Sequence, residues 1–209
     1  DCNISGWPCK YSILLIKTYY NGEIEWSQAY NSIGPVIQND SPCNESDDIG
    51  HSVKQTSDGG YIIVGYTEAY GSDCGNKDLL IIKTDSDGKT CDFGSYGNCT
   101  AEDGGTWIRI FGSYDGEDIA YDIVEDNNGN QEYSIIGSTT SAYIASGYNI
   151  EYVSQSNASG TGDISYVDYH DNLNGWAGVN GASDIWAFKV SSGGDYLFGQ
   201  RYGEDGDDV

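Results

Sequence analysis

Thr56–Gly65 reads TSDGGYIIVG, a polar turn feeding a wholly apolar strand. Asp and Gly provide the local hydrogen bonds and left-handed backbone of a tight turn, and the run that follows is rich in aromatic and β-branched residues. The same device returns at Glu125–Gly137, EDNNGNQEYSIIG, and the segments flanking the two copies also match each other. Recurrence at a fixed spacing marks a repeat architecture. The rest of the chain falls into register around these two hairpins.

Before the first copy, Ser12–Thr18 (SILLIKT) and Glu23–Tyr30 (EIEWSQAY) form a predicted hairpin around Asn21-Gly22. Asp48–Gln55 (DIGHSVKQ) then pairs through TSDGG with Tyr61–Thr67 (YIIVGYT). The order restarts with Asp78–Thr84 (DLLIIKT), Trp107–Phe111 (WIRIF), Asp118–Val124 (DIAYDIV) and Tyr133–Thr139 (YSIIGST). A third round opens with Asp184–Val190 (DIWAFKV) and Asp195–Tyr202 (DYLFGQRY).

Self-alignment makes Lys17, Lys83 and Lys189 equivalent, and likewise Trp26, Trp107 and Phe198. Tyr30, Phe111 and Tyr202 form a third set; Asp48, Asp118 and Asp208 form a fourth. Within each copy the two aromatics lie four residues apart, so both rings share one face of a strand.

Four short antiparallel strands recurring about every 50 residues predict an all-β, β-propeller-type fold of four-stranded blades. Leu14–Ile16, Tyr61–Val64 and Leu79–Ile82 are continuous apolar runs, which calls for strands covered on both faces. Stacked blades cover both faces, whereas a two-sheet sandwich leaves one wet. The expected units are 11–67, 78–139 and a partial third at 183–209, with insertions at 31–46, 90–105 and 140–182. About two and a half blades do not close a ring that needs at least four. The expected partners are therefore the rest of a longer chain or neighbouring copies that complete the open blades.

The motifs TSDGGYIIVG, DLLIIKTDSDG and DIWAFKVSSGG, with Trp107 or Phe198 followed by Phe111-Gly112 or Tyr202-Gly203, resemble the T-x-D-G-G-Y-I-x-x-G blade repeat of large secreted and cell-surface bacterial and archaeal β-propeller proteins. The resemblance covers the segments outside the insertions and implies architecture, with no catalytic motif carried across. The cysteines and long insertions depart from the plain repeat and point to a specialised extracellular variant.

The formal charge of −24, with only nine Lys and Arg, excludes the basic surface that nucleic acid requires. No apolar run reaches membrane-spanning length, and the chain reads as a mature or excised segment. Six cysteines and only two histidines favour disulfides over zinc and an oxidising, extracellular setting.

In a four-stranded meander, alternate connections emerge on opposite rims. Segments 1–10, 31–46, 67–77 and 140–182 share one rim, and 90–105 leaves from the other. Cys91 is expected to pair with Cys99, since they are alone on their rim and close a short loop. Cys2, Cys9, Cys43 and Cys74 allow three connectivities, of which Cys2–Cys9 with Cys43–Cys74 is favoured. The four glycosylation sequons, Asn3, Asn44, Asn98 and Asn157, also fall in the insertions.

The candidate binding loop, 140–182, carries Tyr143, Tyr148, Tyr152, Tyr166, Tyr169 and Trp176 among Ser, Asn and Gly, a composition suited to recognition, including of glycans, or to packing over the rim. Asp85–Gly88 and Asp126–Asn130 look like half of a calcium loop but lack its downstream glutamate, and they read more simply as turns. Acids recur at one place in the repeat, at Asp47 and Asp48, at Asp115, Glu117 and Asp118, and at Glu204, Asp205, Asp207 and Asp208. Calcium is the cofactor such acids would take; a solvated rim is the plainer reading.

The three equivalent lysines are expected to pair with aspartates, because threefold recurrence marks a structural role. His51 and His170 supply no Ser-His-Asp or Cys-His set, and catalytic residues are expected to be none. The expected function is a non-enzymatic, extracellular or cell-surface structural or adhesive glycoprotein, with a glycan-binding or glycan-cleaving propeller as the alternative.

Overall fold

The computed structural model describes residues 11–30, 47–68, 76–90, 105–112, 116–126, 129–140 and 183–203. All six cysteines, the four sequons, the tyrosines and tryptophan of 140–182, Asp115, and the acids Glu204, Asp205, Asp207 and Asp208 lie outside these residues.

The described residues form ten strands and no helix: β1 (Ile13–Thr18), β2 (Ile24–Tyr30), β3 (Asp48–Gln55), β4 (Tyr61–Thr67), β5 (Asp78–Thr84), β6 (Trp107–Phe111), β7 (Asp118–Glu125), β8 (Tyr133–Thr139), β9 (Asp184–Val190) and β10 (Tyr196–Tyr202). Among them no helix is long and apolar enough to cross a membrane.

The strands pair antiparallel in three sheets, β1-β2, β3-β4-β5-β6 and β7-β8-β9-β10. Every predicted strand is present, but the hydrogen-bonded sheets do not coincide with the units 11–67 and 78–139. The chain leaves one sheet for the next between β2 and β3, and again between β6 and β7. A repeat fixes the period, whereas the ladder fixes the phase, and here it begins at Asp48. Among the described residues no sheet closes on itself.

The sheets stack in chain order. Ile62, Val64, Leu79, Ile81, Trp107 and Phe111 of the middle sheet meet Ile135, Trp186 and Phe188 of the last one. Its other face, through Ile63, Leu80, Ile82 and Ile110, meets Ile13, Leu15 and Tyr30 of the first. Every residue of β5 is consequently buried, which accounts for its continuous apolar run.

Two devices repeat along the stack. The Asp48 amide donates to Tyr11 O at 2.9 Å, and the equivalent Asp118 amide donates to Lys77 O at 2.6 Å, so each step between sheets is clipped by one backbone bond. The second device is a ring seated on a glycine. A Cβ on Gly88 would lie 2.6 Å from the Trp26 ring, and one on Gly194 would lie 2.8 Å from Trp107. Only the missing side chain lets the tryptophan of one sheet sit on the turn of the next.

Candidate functional site

The opening motif explains itself in the fold. Gly59 takes the left-handed conformation, φ 88°, and Asp58 folds the turn by accepting from the Thr56 hydroxyl at 2.5 Å and the Gly60 amide at 2.9 Å. Gly60 lies flush on β5, where a Cβ would fall 2.1 Å from Thr84 O. Gly65 faces the bulge between Gly50 and Ser52; a Cβ there would meet Ile49 O at 1.8 Å. Gly137 stands at the same bulge one sheet later, 2.2 Å from Ile119 O by the same measure.

This turn forms one wall of a cavity of about 140 Å³ between the second and third sheets, lined by Asp58, Lys83, Trp107, Gln131, Tyr133 and the Ser192-Gly193 turn. Lys83 is 1% exposed. Its ammonium donates to Asp58 at 2.7 Å and to Thr84 O at 3.0 Å. Burial opposes ionisation of Asp58, but hydrogen bonds from Lys83, Thr56 and the Gly60 amide prevail and hold its carboxyl below the usual range. Burial also pushes the Tyr133 phenol up, with the charges of Asp58 and Glu125 adding to it.

Trp107 Nε1 donates to Ser192 O at 2.7 Å, and an Arg109 amino group donates to Gly193 O at 2.8 Å. Gln131 occupies the repeat position of Gly59, two places before the strand's tyrosine, and keeps its left-handed backbone at φ 53°. The described lining holds no histidine or cysteine. The charges present are a matched pair, and both large aromatic rings are sealed at 1% exposure.

The expectation that the repeated lysines pair with acids holds in all three sheets, with one change of partner. Lys83 takes Asp58 and Lys189 takes Asp126 and Glu132, but Lys17 takes Glu25 of the neighbouring strand at 3.1 Å.

On the opposite rim, only part of the candidate metal set, Glu117 and Asp118, falls among the described residues. Glu117 pairs with Lys77 at 3.3 Å, whereas Asp118 is buried at 1% exposure. No group of three or more metal-binding side chains comes together among the described residues.

The same rim holds a feature that composition and motif reading missed. Asp78 is buried near Asp118 across Gly112, where a Cβ would lie 2.1 Å from Asp78 Oδ1 and 3.2 Å from Asp118 Oδ2. Burial first, and the Asp118 charge second, push the Asp78 carboxyl up to about 8. In the last sheet Asp184 crowds Gly203 in the same manner and is held by Arg201 Nε. The signal was in the sequence as a pairing of positions: Asp78 goes with Gly112, Asp184 with Gly203, and Ser12 with Asn31. Where the acid heads the strand, glycine follows the aromatic.

The chain matches no known protein-family model, and no curated protein is similar to it.

Proposed function

We propose that the chain is a propeller-type structural module of an extracellular or cell-surface glycoprotein, non-enzymatic, with its repeats serving as scaffold and its insertions facing outward for adhesion or assembly. The observation that carries this reading is the use of the polar cluster in each repeat. Each repeated lysine is bound by carboxylates of its own scaffold, and Lys83 is additionally sealed from solvent. Groups committed in this way tie strands and turns within one sheet and are not poised to bind or transfer anything. The strong negative charge and the concentration of cysteines and sequons in insertions agree with an outer-surface setting.

The aromatic and small polar composition of 140–182 favours a second reading, in which that rim binds or cleaves glycans. One experiment separates the two: incubation with a panel of neutral and acidic polysaccharides, scoring both retention and release of reducing ends. The scaffold reading predicts no release. Release that disappears on substituting a carboxylate would establish the glycan-cleaving alternative.

A further inference from the structure

The two ends of the stack present the two halves of an interface that the chain already makes twice internally. The middle sheet's face toward the last one is closed: Val64, Trp107 and Phe111 are 0%, 1% and 0% exposed. Their repeat equivalents on the outer face of the last sheet, Ile136, Phe198 and Tyr202, are 48%, 63% and 55% exposed. At the other end, Leu14 and Ile16 occupy the repeat positions of Leu80 and Ile82, which receive Ile13, Leu15 and Tyr30 inside the chain. Leu14 and Ile16 are open to solvent at 59% and 46%.

The ring-on-glycine device gives the match its direction. Trp26 fills the seat at Gly88, and Trp107 fills the seat at Gly194. Phe198, the third residue of that series, is an exposed ring without a glycine seat among the described residues. Gly22 is the equivalent glycine of the β1–β2 turn, likewise at positive φ, 85°, and among the described residues nothing lies within 4 Å of the position its Cβ would take. It is a seat without a ring. Tyr30 shows the accompanying bond, its hydroxyl donating to Gly88 O at 2.6 Å; Tyr202 stands at the same repeat position.

We propose that the outer face of the β7–β10 sheet docks on the outer face of the β1–β2 sheet of a second copy, with Phe198 seated on Gly22, so that copies associate head to tail. The occupant is a second copy because both complementary faces belong to this chain and face away from each other at opposite ends of the stack. Such an interface is heterologous and propagates into a closed ring or a filament. The inference rests on the scaffold reading, yet the two fail separately, since association is read by mass and glycan cleavage by reducing ends.

The test is sedimentation velocity of the 209-residue protein, wild type and variants, over a concentration series. Wild type forms oligomers that grow with concentration. Phe198→Glu alone and Leu14→Glu alone are each monomeric, because each blocks one of the two faces, and an equimolar mixture of the two forms a dimer that grows no further. Phe198→Trp, restoring the ring used in the other sheets, shifts association to lower concentration. Circular dichroism confirms folding, and Tyr202→Glu and Ile16→Glu serve as second blocks on the same two faces. A wild type that stays monomeric, a single blocked variant that still dimerises, or a mixture that does not dimerise would overturn the proposal.

Discussion

Lys83 and Asp58 are asymmetric partners, and mutation should expose the asymmetry. The lysine side chain is 2% exposed and the aspartate 33%. Asp58→Ala leaves a buried ammonium without its counter-ion and should cost about 3 kcal/mol in urea unfolding. Lys83→Met leaves a carboxylate that water can reach and should cost about 1 kcal/mol. Equal losses would mean that Lys83 is hydrated. The glycines divide in a similar way. Gly65→Ala drives a Cβ into Ile49 O and should cost about 3 kcal/mol, whereas Gly59→Ala meets open space and bears only its positive φ, about 1 kcal/mol.

Asp78 adds a pH dependence of definite sign. Its carboxyl titrates near 8 when folded and at its ordinary 3.8 when unfolded. The folded state therefore holds the proton more tightly. This contribution to stability is complete below about pH 4 and is lost as pH rises through 8. Asp78→Asn should remove that decline, so that the variant overtakes wild type in thermal melts toward pH 8. An unchanged slope would show that Asp78 is already ionised at neutral pH.

At the level of elements, strands were legible because their signals are local. SILLIKT, YIIVGYT and DLLIIKT are apolar runs bounded by Asn-Gly or Asp-Gly turns, and nothing in their surroundings competes with that reading. The grouping of strands was not legible, since cyclic repetition looks the same wherever it is cut, and only the absence of pairing between β2 and β3 shows the seam. The lysine–acid clusters were readable from the equivalence of Lys17, Lys83 and Lys189. The pairing of Asp78 with Gly112 was also present in the sequence, but the approach of Asp118 was not, because it depends on two sheets meeting. Central position in the stack also ranks the strands by energetic weight. Ile81→Ala in β5, buried between two sheets, should cost roughly 3 kcal/mol or more, while Ile16→Ala in β1 should cost under about 1 kcal/mol. Urea titrations of both variants check the ranking.

Among the described residues, the scaffold is a stack of three sheets keyed by rings on glycines and clipped by single backbone bonds. Its cooperative units should follow the hydrogen-bonded sheets, because local opening breaks along the weaker boundaries between ladders. Native-state amide hydrogen exchange resolved by strand reads those units. Amides of β4 and β5 should exchange together and most slowly, β8 and β9 should form a second unit, and β1 and β2 should open before either. Exchange in which β1 through β4 open as one unit and β5 through β8 as another would contradict the stack and restore the units drawn from the repeat alone.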